Sequence, residues 1–116
     1  MSLTFRKEDR LRSGSDFKRV YDRRCSVSNQ WLIVYGCPNG LDRLRVGLSV
    51  SRKVGNAVQR NFFKRLYREA FRLTRAELPA GLDLVMLPRS THEPTLENIC
   101  ASLRALVPML VRRTKK

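Results

Sequence analysis

Apolar residues change their spacing along this chain, and each change marks an element. Phe17, Val20 and Tyr21 fall at i, i+3 and i+4 behind the helix-start signal Ser13-Gly14-Ser15-Asp16. A short helix should begin there, with an aromatic face and with Lys18, Arg19, Arg23 and Arg24 around the rest. Trp31 to Cys37 is a β-branched and aromatic run, and in Leu44 to Val50 apolar residues alternate with Arg45, Gly47 and Ser49, so both are predicted as strands. Turn residues Pro38-Asn39-Gly40 and Asp42 separate them, which predicts a hairpin. Strand parity sets Trp31, Ile33 and Tyr35 on one side and Leu32 and Val34 on the other.

Ser51 to Gly55 reads as a loop, Asn56 as an N-cap, and Ala57 to about Arg75 as a helix without internal Pro or Gly. After Pro79-Ala80-Gly81, the apolar run Leu82 to Leu87 fits a central strand closed by Pro88, with Asp83 as its polar exception. Thr95 to about Arg112 carries Leu96, Ile99, Cys100, Leu103, Leu106, Val107, Leu110 and Val111 at helical spacing, and Pro108 is expected to kink or shorten the last turns. The order reads as an α+β fold: one domain over residues 1–116, with a mainly antiparallel sheet of about four strands packed with three helices. Residues 1–14 form a basic arm and residues 113–116 a basic tail.

Charge narrows the function. Lys and Arg number 24 against 10 Asp and Glu, a formal net charge of +14, and 18 of the 24 are Arg, whose planar fork grips phosphate more specifically than a Lys point charge. A hydrophobic share of 42% supports a packed core, so the chain is not a disordered basic tail. Cys25, Cys37 and Cys100 lack metal-ligand spacing and have a single histidine, His92, to help them, so they are expected to be buried thiols. No signal-peptide core or membrane-length apolar run is present, and a cytoplasmic location is expected.

The helix after Asn56 concentrates this charge. Winding it at about 100° per residue puts Arg60, Asn61, Lys64, Arg65, Arg68, Arg72 and Arg75 within an arc of about 140°. Phe62, Leu66, Ala70 and Leu73 fall opposite, as the expected core side, and Glu69 alone breaks the stripe. Unpaired like charges one turn apart repel by a few tenths of a kcal/mol per pair, so a one-sign stripe points to a bound polyanion. Ser49, Ser51, Arg52, Lys53 and Gly55 lead into the helix N-terminus, where Asn56 and free backbone N–H groups suit a phosphate.

The run Arg45-Val46-Gly47-Leu48-Ser49-Val50-Ser51-Arg52-Lys53-Val54-Gly55-Asn56, continuing through Arg60-Asn61 to Lys64-Arg65 and Arg68-Glu69, resembles the signature of the bacterial ribonuclease P protein component. The order of elements matches over nearly the whole chain, except the termini and Arg89 to Pro94. The resemblance implies an αβββαβα order with a left-handed strand-helix-strand crossover, and a subunit that assists a catalytic RNA in removing the 5′ leader of precursor tRNA. It implies that Arg52, Lys53, Asn56, Arg60, Asn61, Lys64, Arg65, Arg68 and Arg72 face the catalytic RNA. The leader would lie in a cleft lined by Phe17, Tyr21, Ile33 and Tyr35. Aromatic faces suit that task because any base can stack on them. Mg²⁺ would serve the holoenzyme from RNA sites, with no catalytic residue and no metal site on the protein.

Three rival functions share some of these features. A stand-alone nuclease needs converging carboxylates or histidines, whereas the 10 acids are scattered and His92 sits in a polar loop. A small structural RNA-binding protein of ribosomal type shares charge and size, and only the long motif separates it. Residues 96 to 111 are amphipathic but lack a dense basic face, so core packing is expected there, with no membrane partner and no small-molecule substrate.

Overall fold

The computed structural model describes residues 9–11, 13–89 and 93–114. Ser13 starts α1 (Gly14–Asp22) by accepting the Asp16 N–H on its hydroxyl at 3.1 Å. Strands β1 (Ser26–Ser28), β2 (Leu32–Pro38) and β3 (Arg45–Leu48) follow, then α2 (Ala57–Thr74), β4 (Leu82–Pro88) and α3 (Leu96–Thr114). Residues 1–8, which make up most of the expected arm, lie outside the described residues. Part of the remainder is docked: the Leu11 N–H donates to the Val46 carbonyl at 3.0 Å, and Leu11 is buried. The expected tail begins inside α3, which includes Arg113 and Thr114.

The sheet runs β1-β2-β4-β3, antiparallel except for the parallel β3–β4 pair. The expected hairpin between the second and third strands is therefore not formed, because β4 lies between them. The turn after β2 is fastened to the start of β4 instead. Asn39 donates its backbone N–H to the Gly81 carbonyl and its side-chain amide to Arg43 O and Asp83 Oδ1, while Gly81 N–H also donates to Arg43 O. That anchorage carries the chain past β4 to its far edge. The hairpin present is β1–β2, closed by Asn29, whose Oδ1 accepts the Trp31 and Leu32 N–H groups. β4 occupies the central position its apolar run predicted.

The two sheet faces differ. Leu32, Val34, Val46, Leu84 and Met86 face α2 and α3 in the main core. Val85, Cys37, Leu11 and Val20 form a smaller cluster under α1, with Phe17, Tyr21, Tyr35 and Leu87 packed at its margin. Trp31 departs from its expected parity, because it precedes β2 and packs against the main core.

Two helix expectations are corrected. α3 runs through Pro108 to Thr114 without being shortened. A mid-helix proline costs about 3 kcal/mol, while burying each of Leu106, Val107 and Leu110 contributes about 1.5–3 kcal/mol. The carbonyl that Pro108 cannot bond belongs to exposed Arg104, where water can reach it. In α2 the buried side is Phe63, Tyr67, Ala70, Phe71 and Thr74, whereas Phe62 and Leu73 remain 37% and 39% exposed. Both arcs are apolar, but Phe63, Tyr67 and Phe71 at i, i+4 and i+8 make a continuous ridge with more surface to bury.

Tyr67 has no exposed surface, its hydroxyl has no hydrogen-bond partner among the described residues, and burial pushes its phenol well above the ordinary value. An unmade buried hydrogen bond costs about 1–3 kcal/mol. Tyr67→Phe is therefore expected to leave the thermal midpoint unchanged or raise it, as followed by circular dichroism; a clear drop would show a partner for the hydroxyl.

Candidate nucleic-acid interface

The start of α2 is built by a reciprocal cap. The Asn56 side chain accepts the Gln59 N–H at 3.0 Å, and Gln59 Oε1 accepts the Asn56 N–H at 2.8 Å. Asn56 therefore sets the helix origin with the side chain that the sequence assigned to RNA. Gly55, at φ 152°, leaves room for this cap, since a Cβ there would sit 1.9 Å from Gln59 Oε1. The expected loop before it holds a 3₁₀ turn at Arg52–Val54, with Ser51 Oγ accepting the Lys53 N–H at 3.3 Å, and Arg52 and Lys53 are both exposed.

The basic stripe divides once packing is known. Arg65 and Arg68 are exposed and have no ion pair among the described residues, and Asn61 is exposed beside them. Arg60 and Lys64 lie half-buried where the stripe meets the core, with Arg60 Nε sealed from solvent and without a hydrogen-bond partner among the described residues. Arg72 pairs with Glu69 one turn earlier, and Arg75 holds buried Asp9 at 2.5 Å. Among the described residues of the stripe, unpaired positive charge thus concentrates in the first two thirds of α2 and the turn before it.

Phe17, Tyr21 and Tyr35, three of the residues expected to line a cleft, gather on the thinly covered sheet face. Tyr21 of α1 meets Tyr35 of β2 edge-on, with ring centroids 4.9 Å apart at 77°. Ile33, two residues back on β2 and half-buried, faces Leu87 in the register. Phe17 lies over Gly47, where a Cβ would come within 2.6 Å of Phe17 Cζ. Asp83 fastens α1 to this face from below. Fully buried, it accepts Arg45 Nε and Nη2 at 2.8 and 2.7 Å and Asn39 Nδ2 at 3.0 Å, and it also pairs with Arg19 of α1. Burial alone would raise its carboxyl, but the hydrogen bonds from Arg45, Asn39 and Arg19 outweigh that and hold it below the usual carboxylate value.

Phe17 of α1 and the basic stripe of α2 meet in a cavity of about 190 Å³ lined by Arg10, Leu11, Phe17, Gly47, Lys64 and Arg68, among others. An aromatic face and cations on one wall suit a nucleotide, with its base on the ring and its phosphate on the guanidinium. Matched against protein families, residues 5–111 fit the family described as ribonuclease P.

The chain belongs to the ribonuclease P protein family. It is 39% identical to the ribonuclease P protein component of Clostridioides difficile over 107 residues, which is 90% of this chain and 94% of that protein. The Thermotoga maritima component is 36% identical over 99 residues, 85% of each chain. Among solved structures, the Staphylococcus aureus RNase P protein superposes with a TM-score of 0.74 at 36% identity, covering 87% of this chain and 94% of that one. The Thermotoga maritima protein gives 0.75 at 32%, covering 89% and 96%. The role of the chain is that of a ribonuclease P protein in tRNA processing, and the ribosomal-type alternative has no support among these matches.

Sequence reasoning missed Arg10, Leu11 and Gly47 as parts of the site. The first two were read as arm, and no local pattern shows them docking on β3. Gly47 did carry a signal, because a glycine inside a strand often marks close approach of another group. Gly47→Ala is expected to push the Phe17 ring aside and raise KM for precursor tRNA with a long leader about fivefold, an order of magnitude set by part of one base stack. Steady-state kinetics on long-leader and one-nucleotide-leader substrates checks this, and equal changes on both would exclude it.

Proposed function

We propose that this protein binds the catalytic RNA of ribonuclease P through the exposed flank of α2 and the Arg52–Lys53 turn, and guides the 5′ leader of precursor tRNA along the α1–sheet cleft. The RNA carries out the hydrolysis. The supporting observation is the junction itself, where Lys64 and Arg68 of the stripe share a cavity with Phe17 of the cleft. Arg52, Lys53, Asn61, Arg65 and Arg68 contact RNA from exposed positions, Arg60 and Lys64 from the margin, and Arg72 more weakly because Glu69 competes for it. Asn56 acts by fixing the helix origin. Phe17, Tyr21, Ile33 and Tyr35 receive leader nucleotides.

Mg²⁺ serves the holoenzyme in this reading. Among the described residues no three His, Cys, Asp or Glu side chains gather to hold a metal ion. The buried carboxylates Asp83 and Asp9 are held by arginines. The reading places Mg²⁺ on the RNA. Neutralising RNA phosphates would let those sites fill at lower metal concentration. Among the described residues no helix is long and apolar enough to cross a membrane; the reading places the protein in the cytoplasm with RNA partners and no small-molecule substrate.

The test adds purified protein to a transcribed bacterial ribonuclease P RNA at low Mg²⁺ and measures cleavage of precursor tRNA. Cleavage should rise with the protein present, and the protein without RNA should cleave nothing; cleavage by the protein alone would overturn the reading. Tyr35→Ala and Phe17→Ala should each raise KM for leader-bearing substrate about tenfold. Their affinity for the RNA subunit should be unchanged, and an equal effect on leaderless tRNA would move the leader elsewhere.

A further inference from the structure

The exposed face of α2 carries an apolar feature that phosphate binding leaves unexplained. Phe62 is 37% exposed and Val58, one turn earlier, is 78% exposed. By helical spacing Val58 lies about 20° from Arg65 around the axis and Phe62 about 60° from it, so both border the unpaired half of the basic stripe. The Phe62 ring stands edge-on to Phe63, with centroids 5.8 Å apart at 80°, and Phe63 is itself buried in the main core. That contact seats one edge of the ring against the core, which lowers the cost of ordering it on binding.

A fixed aromatic face beside guanidinium groups is the arrangement by which proteins hold an unpaired base while gripping its backbone. Water on such a ring is unfavourable, and a chain of net charge +14 repels a second copy of itself. A polyanion with a flat apolar face answers both demands. We propose that Phe62 is a stacking platform for an unpaired nucleobase of the RNA that covers the α2 stripe, with Val58 packing on the adjoining sugar. The site is separate from the leader cleft, which lies on the α1 side of the sheet, and it rests on the proposed reading that α2 faces the RNA subunit.

The experiment measures binding of a transcribed ribonuclease P RNA to Phe62→Ala, Phe62→Leu and Phe62→Trp across a salt series, with Arg65→Ala alongside. Stacking predicts that Ala and Leu both weaken binding between about fivefold and a hundredfold. The slope of log affinity against log salt should not change, and Trp should restore the affinity. Arg65→Ala should flatten that slope by about 1. In a Trp31→Phe, Phe62→Trp protein, whose only indole is then at position 62, saturating RNA should quench the fluorescence. Wild-type affinity in Ala and Leu, or bound RNA without quenching, overturns the platform while the stripe stands. An unchanged slope in Arg65→Ala would count instead against the stripe. A wild-type protein that sediments as a dimer and becomes a monomer in Phe62→Ala, with RNA affinity intact, would assign the patch to self-association and likewise overturn the proposal.

Discussion

Alanine at both Arg65 and Arg68 is expected to weaken binding to the ribonuclease P RNA at least about tenfold near 0.1 M salt, and to lower the salt slope by about 2, one for each lost phosphate contact. Both side chains are exposed without an ion pair among the described residues, so nothing in the free protein has to be broken for them to meet phosphate. Arg72→Ala provides the internal comparison. Its guanidinium already sits on Glu69, with Nε donating at 2.8 Å, and its removal should cost clearly less affinity and less slope. Anisotropy titrations from about 0.05 to 0.5 M salt span the useful range, because the Debye length falls steeply across it. Equal losses from Arg72 and from Arg65 or Arg68 would mean that intramolecular pairing does not select the RNA-binding groups.

Asp83→Asn is expected to destabilise the fold by about 3 kcal/mol, as removal of one partner does in other buried charge networks. The amide would leave Arg45 and Arg19 facing each other without their shared anion. For a domain of this size that corresponds to a thermal midpoint lower by about 10 °C or more. The network also makes stability depend on pH. The Asp83 carboxyl sits below its ordinary value when folded, so its contribution is complete above the unfolded carboxylate range and is lost as pH falls toward the folded value. Urea titrations from neutrality down to about pH 3 should show the wild type losing stability on acidification, and Asp83→Asn losing less. A parallel decline in the two proteins would place the acid sensitivity elsewhere. Arg19 ties α1 to Asp83, so this substitution should also loosen α1 and raise KM for leader-bearing substrate.

The three helices and the strands β2, β3 and β4 were legible because their signals are local, whereas the three-residue β1 is too short to carry a period. Ser13 and Asn56 mark helix starts that the hydrogen bonds reproduce, and the apolar run of β4 announced a central strand. Pairing was not legible. Pro38-Asn39-Gly40 has the composition of a hairpin turn, but the partners of Asn39 that decide the path are Gly81 and Asp83, remote in sequence. The site was legible in composition and only partly in geometry. Periodicity gave the arc from Arg60 to Arg75, yet it could not say which of two apolar arcs would be buried. That choice half-buries Lys64 and Arg60 and leaves Phe62 out. Nor could it show that Asp9 and Glu69 would neutralise the far end of the stripe, since Asp9 is drawn in only when the arm docks on β3.

Of the two central strands of the sheet, β4 is also the last strand to be synthesised. β4 pairs with β2 through contacts such as Pro38 with Leu82, and with β3 through contacts such as Leu48 with Met86. On the ribosome, the β1–β2 hairpin and α2 can therefore form early from neighbouring residues, while the sheet itself cannot close until Pro88 has left the exit tunnel. During that interval the edges of β2 and β3 lie open, and mutual repulsion among nascent chains so rich in arginine opposes their sticking to one another.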